Sequence, residues 1–255
     1  VESDELPRPG TCHPFELVEV LPVPGDRMVR VDTVPTLTFS DFPDPDTVGL
    51  ATLSLTISGL RYTGSYKVDL VDRRVFFEPT GWLQPGIGFT MILRPEVRSL
   101  RGCRLEPPPP YPNGEPADAY YLRFHTLDPD VEAPPRDVPP PAPTFSEVQD
   151  LFAGRCAGGC HADEAVGPDP GACLAAPAAG LSLCPAEAHA SLVGVPSRQV
   201  VRLVRVAPRD SARSYLLRKL LGAPPLVGHL APPGGALTPD ELHLISRWID
   251  AGAAP

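Results

Sequence analysis

Alternation of apolar and polar residues runs through the first half of the chain and predicts short β-strands. Phe15-Glu16-Leu17-Val18-Glu19-Val20 opens one, and Pro35-Thr36-Leu37-Thr38-Phe39-Ser40 forms the next. Leu53, Leu55 and Ile57 alternate with Ser54, Thr56 and Ser58; Tyr66, Val68 and Leu70 follow, then Val75-Phe76-Phe77. After a turn at Pro85-Gly86 come Phe89, Met91 and Leu93, and Tyr120, Leu122, Phe124 and Thr126 close the series. About seven short strands divided by Pro, Gly and Asp turns predict an all-β sandwich over residues 1–130.

The period changes in the second half. Phe145, Val148, Leu151 and Phe152 recur at helical spacing and run straight into Cys156. Ala186–Val193 and Ser211–Leu221 are further helix candidates. The last begins at Thr238, where Pro239 and Glu241 complete a capping box, and carries Leu242, Ile245, Trp248 and Ile249 at core spacing. This order predicts a mainly α domain over residues 144–255. Between the halves, residues 131–143 are dominated by proline, a stiff extended linker.

Composition sharpens the picture. The chain has 255 residues, room for two modest domains, and 36 prolines, about three times the usual share, which exclude long helices over much of it. A net charge of −9 argues against nucleic acid and anionic lipid as partners. No run of about 18 apolar residues exists to span a membrane. The acidic start Val1-Glu2-Ser3-Asp4-Glu5 contains no signal peptide, so the expectation is a mature chain whose leader has been removed.

Arg155-Cys156-Ala157-Gly158-Gly159-Cys160-His161 carries the candidate chemistry. Two cysteines followed at once by histidine is how c-type haem is attached: each thiol becomes a thioether and the histidine the proximal iron ligand. The usual spacing has two residues between the cysteines. Here there are three, and two are glycines that can take the positive φ a larger loop requires. Zinc is the chemical rival, although no second Cys/His cluster stands at a matching spacing. A Cys156–Cys160 disulfide is the plain alternative. If both cysteines carry haem, Cys12, Cys103, Cys173 and Cys184 remain, two in each half. Cys12–Cys103 and Cys173–Cys184 disulfides in an oxidising compartment then follow.

Two resemblances add to this reading. Leu37-Thr38-Phe39-Ser40, Arg74-Val75-Phe76-Phe77-Glu78-Pro79, Leu83-Gln84-Pro85-Gly86 and Phe124-His125-Thr126 resemble bacterial Ig-like modules, which implies a fold and no chemistry. In the second half, the Cys/His motif is joined by the stretches Ala190–Ser197 and Arg205–Leu220. Pro232-Pro233-Gly234-Gly235 and the Trp248–Ala253 end complete the set. Together they resemble the cytochrome c-like domains of large secreted proteins in myxobacteria and related bacteria. Such domains commonly place Met before the Pro-Pro-Gly segment as distal iron ligand, and this chain has Ala231 there. Its only methionines, Met28 and Met91, fall in the predicted sandwich strands.

His229, two residues upstream on a Gly- and Pro-flanked loop, is the candidate replacement, with a surface loop histidine as the alternative. His189, in a short predicted helix, stands behind it. His243 is read as solvated and His125 as structural, while His13 and His125 belong to the other domain. Arg198, Arg202, Arg205, Arg209, Arg213 and Arg218 form a basic run, solvated by default, from which one or two could meet haem propionates.

Three functions follow. The first is one-electron transfer by an extracytoplasmic c-type cytochrome with one haem c, meeting a redox partner or a neighbouring haem subunit. The second is a five-coordinate haem sensor or peroxidase. The third is a structural surface or assembly module, with a homo-oligomer or larger polymer within reach. No acid, base or nucleophile constellation accompanies the motif, so an enzyme is the weaker expectation.

Overall fold

The computed structural model describes residues 12–129, 140–156, 161, 177–233 and 235–255. The chain divides into two compact units, Val1–Val138 and Pro139–Pro255. Most of the predicted linker, and with it any polyproline geometry, lies outside the described residues.

The first unit is an antiparallel β-sandwich of the Ig-like kind. Its strands are β1 (Leu17–Leu21), β2 (Thr36–Phe39), β3 (Leu53–Ile57), β4 (Leu60–Arg61), β5 (Gly64–Asp69), β6 (Arg74–Pro79), β7 (Gly88–Leu93) and β8 (Tyr120–His125). One sheet has the order β1-β2-β6-β5 and the other β4-β3-β7-β8. Alternation does the work expected of it. Leu37, Phe39, Val75 and Phe77 from one sheet and Leu53, Leu55, Phe89 and Met91 from the other are buried. Tyr66 Oη on β5 donates to the Leu53 carbonyl on β3 at 2.7 Å, pinning one sheet to the other. Met28, expected in a strand, is instead an exposed residue of the segment between β1 and β2.

Cys12 and Cys103 form the expected disulfide, closing a loop across a sequence separation of 91. Replacing both with Ser is expected to lower the stability of this unit by about 2–4 kcal/mol, because the unfolded chain regains the entropy of that loop. Urea unfolding checks this, and an unchanged midpoint would refute it.

The second unit corrects the expected fold class. Helices α1 (Phe145–Arg155), α2 (Ala188–Leu192), α3 (Tyr215–Leu221) and α4 (Pro239–Asp250) have only 11, 5, 7 and 12 residues. A short helical turn lies at Ala178–Gly180, and the remaining described segments are turns, loops and isolated bridges such as Val193–Val206 and Val204–Ser214. Among the described residues the chain is mostly β, in two antiparallel sheets, and no large, mainly α cytochrome-type domain stands among them. The physical reason is local competition for backbone groups. Ser214 Oγ accepts from the Ala207 N–H and donates to the Asp210 carbonyl, while Asp210 Oδ1 accepts from the Arg213 N–H. These side-chain bonds fold 207–214 into turns, so α3 starts at Tyr215 rather than Ser211.

The two longer helices follow their sequence signals. Thr144 with Glu147 and Thr238 with Glu241 form complete capping boxes. Backbone N–H donors hold both glutamates below the usual carboxylate range. The contribution of these caps is therefore present above the unfolded-state pKa and fades as pH falls through the lowered value. Phe145 on α1 meets Trp248 on α4 at 5.2 Å between ring centroids, and Arg155 pairs with Glu241 at 2.8 Å.

Candidate functional site

A cavity of about 460 Å³ opens inside the second unit, with Phe152, Leu181, Leu183, Leu192, Leu216 and Leu220 among its apolar walls. Cys156, His161 and Ala231-Pro232-Pro233 line the same space. The tertiary structure thus brings Cys156, His161 and the Pro-Pro segment, far apart in sequence, to one cavity.

Helical periodicity sets the first of these groups. Val148, Phe152 and Cys156 follow at intervals of four, so Cys156 continues the buried face of α1, and its N–H caps the helix on the Phe152 carbonyl. Its thiol is free, which separates it from the disulfide alternative. Burial, reinforced by the charge of Glu241, pushes that thiol up to about 11. It is consequently protonated at neutral pH. Among the described residues, Cys156 and His161 belong to no cluster of three or more metal-ligating side chains. Cys160 and the intervening glycines lie outside the described residues.

His161 is held at both ends of its residue. Its carbonyl accepts from the Leu183 N–H at 2.9 Å, and its ring Nδ1 faces the Leu181 carbonyl at 3.0 Å. A carbonyl only accepts, so Nδ1 carries a proton toward Leu181, which leaves Nε2 as the ring nitrogen able to offer a lone pair. Gln149 on α1 donates to the Leu183 carbonyl at 2.9 Å, tying this strip to the helix that supplies Cys156.

Two of the six arginines reach the cavity wall, Arg198 and Arg205. Arg205 is buried, and its terminal nitrogens donate to the carbonyls of Ser191, Ala179 and Gly180 and to Ser191 Oγ. No carboxylate among the described residues pairs with it, and burial together with the charge of Arg198 lowers its pKa. Gly180 has φ +64°, and a β-carbon there would run into the Arg198 guanidinium, so the two cations converge on a position that requires glycine. Arg218 is also buried but is spent on the carbonyls of Ala212 and Pro224, while Arg213 pairs with Asp210.

The other candidates fall elsewhere. His229 is exposed and does not line the cavity, although the neighbouring Ala231 does. His189 lies against Phe145 and Trp248, with Nε2 at 2.8 Å from the Ala253 carbonyl, a packing role. His125 faces the Thr126 carbonyl within the sandwich. Cys184 is disulfide-bonded, and its expected partner Cys173 lies outside the described residues.

Sequence reasoning passed over Lys219. It lines the cavity beside Tyr215, Leu216 and Leu220 on the inner face of α3. The signal was present, since a lysine one turn after Tyr215 sits at a position of the apolar stripe.

No protein-family model matches the chain, and no curated protein matches it. Among solved structures, a match to the S-layer protein rSbsC has 14% identity and TM-score 0.32, covering 46% of this chain and 14% of that one. CopC from Methylosinus trichosporium OB3b matches at 16% identity and TM-score 0.35, over 46% of this chain and 98% of its own. PcoC, a methionine-rich copper resistance protein from Escherichia coli, matches at 15% identity and TM-score 0.32, over 45% and 99%. Likenesses of this size say nothing about chemistry.

Proposed function

We propose that the second unit carries one covalently attached haem c, through Cys156 and Cys160 with His161 as proximal ligand, and serves one-electron transfer outside the cytoplasm. The observation that carries this reading is the pairing of a free Cys156 thiol with a His161 ring whose Nδ1 is committed to Leu181, on one apolar cavity. An imidazole oriented by a backbone carbonyl at one nitrogen presents the other to a metal. The remaining walls fit the group as well. Leucine and phenylalanine side chains suit a macrocycle, and Arg205, a buried cation whose acceptors among the described residues are all neutral, suits a cofactor that brings its own carboxylates.

Bound haem would supply a one-electron iron couple whose potential follows from its ligands and burial. The chain's own residues do the rest. Leu181 orients His161, α1 presents Cys156, and the apolar walls exclude water. The Cys12–Cys103 disulfide supports an oxidising, extracytoplasmic compartment, and among the described residues no helix is long and apolar enough to cross a membrane.

Expression of the full chain with a c-type haem maturation system tests this reading. The denatured protein is expected to carry the added mass of one haem and to give a reversible one-electron reduction. A chain of apoprotein mass from a competent host would overturn it.

A further inference from the structure

Loss of the usual methionine leaves the second axial position of such a haem without an owner in the sequence, and the cavity wall restricts who can fill it. Arginine cannot ligate, because its guanidinium stays protonated. Ala231 has no donor, and His229 is exposed and off the wall. Tyr215 lines the cavity, but its hydroxyl donates to Gln199 Oε1 at 3.0 Å and accepts from the Val227 N–H. One further strong donor remains among the described lining residues. From its place on α3 beside the vacated position, we infer that the Lys219 amine is the distal ligand of the haem, an assignment that rests on the haem reading above.

Two observations carry the assignment. Lys219 lines the same cavity as Cys156 and His161, and its carbonyl accepts from the Ala231 N–H, so it adjoins the residue standing where methionine is usual. Its ammonium has no carboxylate partner among the described residues. Nζ donates to one group, the Val227 carbonyl at 2.6 Å. A neutral amine bound to iron keeps two N–H donors, so ligation and this bond are compatible.

The test uses the full holoprotein after its haem mass has been verified, with absorption and electron paramagnetic resonance spectra as readout. Ferric wild type is expected to be six-coordinate and low-spin. Lys219→Ala and Lys219→Arg are both expected to convert it to a high-spin form whose ferrous state binds carbon monoxide. Arginine keeps the charge and can still reach the Val227 carbonyl, but it has no lone pair to give. A Lys219→Arg variant that stays low-spin therefore overturns the assignment and leaves Lys219 a loop-positioning cation. A wild type that is already high-spin overturns it too, as does conversion by His229→Ala with none by Lys219→Ala. A chain that never acquires haem fails at the mass measurement, which sinks the haem reading itself.

Discussion

A chain carrying Cys156→Ala together with Cys160→Ala is expected to leave a haem-attaching host with no covalently bound haem. Denaturation followed by intact-mass measurement should return the apoprotein, where wild type returns the chain plus one haem. The effect is all-or-none because each thioether is one carbon–sulfur bond, and the variant removes both sulfurs of the motif. Cys156→Ala alone should leave one bond and a haem that survives denaturation. The substitution removes only a thiol at the end of α1, whose cap depends on the backbone N–H of that residue. Covalent haem in the double variant would refute the assignment of the motif.

Trp248→Ala is expected to cost the second unit about 3–5 kcal/mol, the range for truncating a fully buried aromatic. Trp248 is 1% exposed, meets the Phe145 ring at a tilt and the His189 ring edge-on, and donates from Nε1 to the Ala254 carbonyl at 2.9 Å. It therefore joins α1, α2, α4 and the C-terminal residues. Urea unfolding followed by far-ultraviolet circular dichroism should show a lower midpoint at an unchanged slope, and Trp248→Phe should recover much of the loss. The consequence for the site is direct. Phe145 and Cys156 lie at opposite ends of α1, so loosening this contact frees the helix that presents the thiol. A loss below about 1 kcal/mol, typical of surface substitutions and mild repacking, would mean that something other than this contact holds α1 in place.

Much of the first unit was legible because a strand's period of two needs only near neighbours. Leu53, Leu55, Phe89 and Met91 announce their faces by alternation, and the fold buries them. The two-residue strand β4 escaped notice because Leu60-Arg61 is too short to alternate and exists only by pairing with Thr56 and Ile57. The capping boxes at Thr144 and Thr238 were equally local, each closed by a residue three positions on.

The second unit divides differently. By itself the sequence determined the candidate groups, Cys156, Cys160 and His161, and the helix that delivers the first of them, since these depend on residue identity and short-range periodicity. It did not determine the helix content, because whether 207–214 coils into α3 depends on Ser214 and Asp210 capturing backbone groups across a turn. Nor did it bring forward Lys219, which it passed over in favour of His229. Both sit near Ala231, one in chain order and one in space. The loop that carries His229 is held to α3 by Lys219, Tyr215 and Arg218 through bonds to Val227 and Pro224. Those bonds leave His229 exposed and Lys219 on the cavity wall. Proximity along a Gly- and Pro-rich loop says little about direction, because each such residue redirects the backbone. Only the tertiary hydrogen bonds decided which side chain faces the cavity.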